Sequence, residues 1–279
     1  MMSNWLHALR RTPQRTLHRT LAATLSVTLA AGLVACGGGG YTPSPLSVTD
    51  HRPLSTAFTT RAAVSYSPYR TSNSEADLAG EVITPANVLQ DLRLIQATGI
   101  GTIRLFSSRA FAETVLSAIH DNGLDLKVML GAYVNPAANA AQEADNQAEL
   151  DKCIALAKQH SGIVEAVSVG NETMVSWSTH RIEPEVMAGY IRKVRSAITQ
   201  PVTTDDNWAF WAAVPKAIAD VVDFAAVHTY PLLDTFYDPT LWDWRFKTTT
   251  PDQRAAAMVA GAAAEAKRQF CLLYTSRCV

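Results

Sequence analysis

The chain has 279 residues, with 24 Lys and Arg against 25 Asp and Glu. A balance this close to neutral leaves no basic footprint for nucleic acid and suits a neutral polysaccharide better than a polyanion. Its four cysteines, Cys36, Cys153, Cys271 and Cys278, form neither a disulfide framework nor a metal-ligand spacing, and no metal or cofactor is implied.

Arg10, Arg11, Arg15 and Arg19 precede an uncharged run from Leu21 to Ala35. A basic segment followed by an apolar one is the pattern of an export signal, and this run is too short to span a bilayer comfortably. It ends at Leu33-Val34-Ala35-Cys36, which resembles a bacterial lipobox. That resemblance implies a signal peptide over residues 1–35 and a lipid on Cys36. It also implies membrane anchoring in the cell envelope, at the outer membrane because no Asp follows Cys36. Residues 36–60, rich in Gly, Pro, Ser and Thr, read as a flexible tether.

Strand and helix then alternate. Ala62–Tyr66 reads as a strand, and Thr84 with Pro85 opens a helix to Ala97, in which Val88, Leu89, Leu92 and Ile95 recur at helical spacing. Gly99 stops that helix before a strand over Thr102–Phe106. There follow a helix over Ala110–Asp121, a strand over Leu126–Leu130, a helix over Gln147–His160 and a strand ending at Gly170. A helix over Pro184–Ile198, a strand over Val202–Thr204, a helix near Trp211–Asp220 and a strand over Val222–Val227 complete the series. Such alternation predicts parallel strands joined by crossover helices, as in an open doubly wound sheet or a closed barrel. A nucleotide-binding open sheet would carry a Gly-rich turn after its first strand, where Tyr66-Ser67-Pro68-Tyr69-Arg70 stands instead. Polar and aromatic groups close nearly every strand: Tyr66, Arg104, Tyr133, Asn171 with Glu172, Asp205 with Trp208, and His228 with Tyr230. That ring predicts the mouth of an α/β (β/α)8 TIM barrel, of which about six of the eight βα units are legible.

The densest chemistry lies in Ala166-Val167-Ser168-Val169-Gly170-Asn171-Glu172, an apolar strand ending in an amide and a carboxyl group. A Glu there is suited to protonate a glycosidic oxygen while the Asn holds a neighbouring sugar hydroxyl. A Glu after an apolar strand also suits a helix cap, and the other strand-end motifs favour the catalytic reading. Arg104 is expected to orient acids by charge pairing, and His228 to be a hydrogen-bonded structural residue. Asp205 and Asp206 are open between holding a sugar hydroxyl and shaping their loop.

Ser65-Tyr66-Ser67-Pro68-Tyr69, Ile103-Arg104-Leu105-Phe106, Leu130-Gly131-Ala132-Tyr133, Val169-Gly170-Asn171-Glu172, Pro201-Val202-Thr203-Thr204-Asp205 and Val227-His228-Thr229-Tyr230-Pro231 together resemble glycoside hydrolase family 17. The resemblance covers roughly Ala62 to Phe270, with the glycosidase domain taken over 61–270. It implies a retaining enzyme acting on β-1,3-glucan, either a glucanase or a glucan transglycosylase. By the same resemblance Glu172 is the general acid/base and Asn171 binds the hydroxyl beside the scissile bond. Tyr66 and Tyr230 lie near the cleaved residue, with Tyr133 and Asp205 at the same mouth. Trp208, Phe236, Tyr237, Trp242 and Trp244 make stacking walls, although Trp242 and Trp244 also suit packing onto the barrel.

The nucleophile of that family, a Glu in a pattern like Gly-Glu-Thr-Gly-Trp at the seventh strand's end, has no counterpart after the helix expected over Pro251–Gln269. Glu265 lies within that Ala-rich helix. Residues 271–279 look like translated adapter sequence, so a C-terminally truncated barrel, inactive as it stands, is expected. A glucan-binding lipoprotein without catalysis is the alternative, and a nucleotide-binding protein the remote one.

Overall fold

The computed structural model describes residues 51–71 and 80–229. Cys36, Tyr230, Phe236, Tyr237, Trp242, Trp244, Glu265 and the 271–279 segment lie outside the described residues, as do the expected signal peptide and the start of the tether.

A short helix α1 (Thr56–Thr60) leads into strand β1 (Ala62–Ser65). Alternating elements follow: α2 (Pro85–Ala97), β2 (Ile100–Leu105), α3 (Ala112–Asp121), β3 (Lys127–Ala132), α4 (Ala140–Gln159), β4 (Val164–Asn171), α5 (Pro184–Ala197) and β5 (Val202–Asn207). Two short helices, α6 (Trp208–Trp211) and α7 (Lys216–Ala219), precede β6 (Ala226–His228). The six strands form one sheet in the order β1-β2-β3-β4-β5-β6, every pair parallel. This is a curled half-barrel with alternating helices, the incomplete (β/α)8 architecture expected from the strand grammar.

Local chemistry accounts for the element ends. The Thr84 side chain accepts from the Asn87 amide and Pro85 occupies the first turn of α2, where a missing N–H costs nothing. Asn139 caps α4 by accepting from Gln142, which starts that helix at Ala140, well before Gln147. The predicted helix near Trp211–Asp220 is two short helices, because Pro215 at the N-cap of α7 has an extended backbone that separates it from α6.

Helical spacing builds the core. Val115, Leu116 and Ile119 of α3 and Met187, Ile191 and Val194 of α5 are buried in one cluster with Ile103, Leu105, Val128, Leu130, Val167 and Val169 of the strands. Each such burial contributes about 1.5–3 kcal/mol. Residue 131 must be glycine where β3 runs close to the end of β2: a Cβ there would lie 2.3 Å from the Leu105 carbonyl oxygen.

Strand β5 runs past the expected end at Thr204 through the polar residues Asp205, Asp206 and Asn207, all buried. Residues 51–60, within the segment expected as a tether, include α1 and make contacts of their own. The Arg52 guanidinium donates to the carbonyls of Arg195, Ile198 and Gln200, and the Arg52 amide donates to Asp223 Oδ1 at 2.9 Å. Asp223 also accepts from the Val202 amide, so it anchors the start of β5 and displaces β6 onward to Ala226.

Candidate active site

Pairing register brings the strand ends together. Asn171 of β4 lies opposite Asp205 of β5, and Asp205, Asp206 and Asn207 lie opposite Ala226, Val227 and His228 of β6. Glu172, one residue past β4, is therefore delivered to the shared C-terminal rim, where parallel barrels place reactive groups.

The turn at that point is strained. Gly170 has φ 84°, which glycine adopts freely, but Glu172 has φ 50°, the one non-glycine residue with positive φ among those described. Left-handed backbone costs a residue with a Cβ about 1–2 kcal/mol, so its neighbours must impose it. They do: the Glu172 amide donates to the Asp205 carbonyl at 2.8 Å, and the Asn171 carbonyl accepts from His180 Nε2 at 2.9 Å. A carbonyl oxygen only accepts, so His180 carries its hydrogen on Nε2 in this contact.

The Glu172 carboxyl group meets His228, with Oε1 2.8 Å from Nδ1. Its side chain keeps 26% of its surface open, enough for contact with a ligand. Arg104 Nη2 donates to Asn171 Oδ1 at 2.7 Å and pairs with Asp205 Oδ2 at 2.6 Å. The guanidinium also lies 4.3 Å from the centre of the Phe106 ring. With its oxygen on Arg104, the Asn171 amide offers Nδ2 as a donor. Arg104 thus pairs with the Asp205 carboxyl group, the charge pairing expected of it, and fixes the Asn171 amide.

Asp205, open in the sequence between a sugar hydroxyl and its own loop, is turned toward Arg104 in the fold. Its side chain is 3% exposed and committed to Arg104. Burial pushes its carboxyl up, with the Arg104 charge opposing. Asp206 is buried beside it, and burial pushes it up to about 6, with Glu172 adding to the rise. Its two oxygens accept from the amides of Met174 and Asn207.

Tyr66, expected near the cleaved residue, is held at the end of β1 by contacts with α2 and Phe111. Its buried ring packs edge-on to Phe111 and its hydroxyl donates to Asp91 on α2 at 3.0 Å. Burial and the Asp91 carboxylate both raise its phenol. Tyr133 does reach the rim, partly exposed and stacked on His180 with centroids 5.9 Å apart. Its amide is fixed by the buried carboxylate of Glu149, which also takes the Ser108 amide and so ties two rim loops together. Trp208 opens α6, half-buried, directly after the capping residue Asn207.

Sequence reading missed His180 and Glu149, because their contacts join residues far apart in the chain with no local motif to mark them. A surface hollow of about 410 Å³ lies along α2, lined by Ala86, Leu89, Gln90, Arg93 and Leu94, with none of the strand-end groups in its wall.

Solved structures share this frame. An endo-laminarinase from Formosa Hel1_33_131 superposes with a TM-score of 0.65 at 22% identity, over 78% of this chain and 64% of the laminarinase. The chain therefore spans somewhat less than two thirds of that protein's length. A glycoside hydrolase family 17 β-1,3-glucanosyltransferase from Rhizomucor miehei superposes with a TM-score of 0.55 at 16% identity, over 76% of this chain and 68% of the transferase. An active-site mutant of the Rhizomucor miehei β-1,3-glucanosyltransferase, in complex with laminaritriose, matches to the same extent. At these identities the likeness establishes a common fold. No curated protein matches the chain. The family model for the BtgE/BtgC glycoside hydrolase domain matches residues 63–270, most of the chain, and the chain accordingly belongs to that family.

Proposed function

We propose that this domain acts on β-1,3-linked glucan with retention of anomeric configuration, Glu172 serving first as acid and then as base. The observation that carries the reading is the Glu172 carboxyl group, held at a strand end by an imposed left-handed backbone and met by His228. Family membership and the fold shared with a laminarinase and a β-1,3-glucanosyltransferase support it. In the first step a carboxylate attacks the anomeric carbon while Glu172 gives its proton to the departing glycosidic oxygen. In the second, Glu172 takes a proton from water or from a sugar hydroxyl, whose oxygen displaces the enzyme carboxylate. Hydrolysis and transglycosylation share these steps and differ in the acceptor.

The attacking carboxylate must stand about 5 Å from the acid. Asp205 and Asp206 are committed to Arg104 and to backbone amides. We assign the nucleophile to a strand beyond β6, and this chain alone is read as binding glucan without turning it over. Acylation of Cys36, with anchoring to the cell envelope, completes the proposal; a Cys36→Ser chain would then leave the membrane fraction for the soluble one.

The test is made in two parts. This chain should bind laminarihexaose in calorimetry and release no reducing ends; absence of binding by folded protein would overturn the glucan reading. In a domain extended past Phe270, Glu172→Gln should retain the fold and abolish laminarin cleavage, because an amide cannot give that proton. Undiminished cleavage would sink the assignment of Glu172.

A further inference from the structure

The peptide unit joining Asn171 to Glu172 is gripped at both polar ends. Its N–H donates to the Asp205 carbonyl of β5 at 2.8 Å, and its C=O accepts from His180 in the loop between β4 and α5 at 2.9 Å. Rotation of a peptide plane changes ψ of the residue before it and φ of the residue after it together. The plane held by these two bonds is the one that sets φ of Glu172 at 50°.

His180 is itself fixed. Its ring stacks on Tyr133 with planes 27° apart, and its Nδ1 lies 3.5 Å from Ser178 Oγ. Tyr133 in turn is held through its amide by Glu149 at 3.0 Å. A chain of contacts thus runs from the buried Glu149 through Tyr133 and His180 to the peptide that carries Glu172.

We propose that His180 is a positioning residue for the strand-end acid: it locks the peptide between Asn171 and Glu172 in the left-handed turn that aims the Glu172 carboxyl group at His228. The inference rests on the reading of Glu172 as the acid. Without the His180 donor the carbonyl end of the peptide plane loses this anchor, so the plane relaxes toward negative φ and the carboxyl group swings away from His228.

Two variants separate the donor from the ring. His180→Phe keeps a flat ring to stack on Tyr133 and lacks the donor, and His180→Gln supplies an amide donor. In the domain extended past Phe270, His180→Phe should lower kcat on laminarin about 10- to 100-fold, the cost of a misplaced catalytic group, with KM within about twofold. His180→Gln should recover most of that loss. The readout independent of turnover is the His228 ring signal in 1H–15N spectra of this chain. It should shift in His180→Phe as the contact with Glu172 loosens, and return to the wild-type position in His180→Gln. A His180→Phe protein with unchanged kcat and an unchanged His228 signal overturns the lock. If His180→Phe does not fold, His180→Leu against His180→Gln makes the same comparison, and equal His228 signals in those two overturn it likewise. Failure of the Glu172 reading is seen separately, as full cleavage by Glu172→Gln, and leaves the His228 signals to decide the lock.

Discussion

His228 Nδ1 and Glu172 Oε1 lie 2.8 Å apart, joining the end of β6 to the residue just past β4 across the intervening strand. The contact forms only once the sheet has curled and paired in register, so it couples the fold directly to the orientation of the candidate acid.

That coupling predicts a graded response at position 228. In a domain competent for turnover, His228→Ala should lower kcat/KM on laminarin at least about 10-fold, within the range that a positioned proton donor contributes. His228→Asn, whose amide nitrogen can overlie Nδ1, should lose less. Steady-state kinetics on the two variants make the comparison, and equal losses would remove the hydrogen bond from the account.

Arg104 and Asp205 form a second, more deeply buried link, with side chains 17% and 3% exposed. Replacing Arg104 by Met leaves a buried carboxylate uncompensated, which costs about 3–5 kcal/mol. The double variant Arg104→Met with Asp205→Leu should recover much of that loss, because both charges are then gone. Urea unfolding of the single and double variants measures the coupling; additive losses would show that the pair is not a unit.

Asp206 predicts a pH dependence of stability. Burial favours its neutral form, so the folded chain holds this proton up to about 6, against 3.8 for the ordinary group. The folded state therefore binds more protons between those values. The stabilising contribution is complete below 3.8 and is lost as pH rises through about 6. A shift of this size corresponds to about 3 kcal/mol. Asp206→Asn should be the less stable protein at pH 4, and its deficit should shrink by pH 7. Parallel urea midpoints at the two pH values would contradict the assignment.

Arg52 makes the segment before α1 part of the folded unit. Its guanidinium holds three carbonyls at the end of α5, and its amide holds Asp223, whose side chain is fully buried. Arg52→Ala should cost about 2–3 kcal/mol, the scale of hydrogen bonds from a charged group. It should also expose residues 51–60 to limited proteolysis. Unchanged stability and protection would mean that the strap merely rests on the surface.

The course of the chain is legible in the sequence. Thr84 with Pro85, the apolar spacing of α3 and α5, and the unbroken run of β4 each carry their conformation locally, through a cap, a helical stripe or a buried parallel strand. Boundaries failed where tertiary contact overrode local signals. Strand β5 runs on through Asp205 and Asp206 because Arg104 and backbone amides satisfy their carboxyl groups. Helix α4 instead starts before Gln147 for a local reason, the Asn139 cap on the Gln142 amide.

At the site, the residue types were readable and their assignments only partly so. Asn171 and Glu172 stand out because an apolar strand ending in an amide and a carboxyl group has an evident chemistry. Which oxygen of which side chain is committed to a neighbour is decided by packing between residues far apart in sequence. Tyr66 goes to Asp91, Asp205 to Arg104, and His180, which no motif marked, to the carbonyl before Glu172. The local pattern names the elements and the reactive groups, because hydrophobic period and capping act over a few residues. Tertiary packing of strands, helices and loops decides which of those groups meet, because hydrogen bonds and charges act over a few ångströms of space.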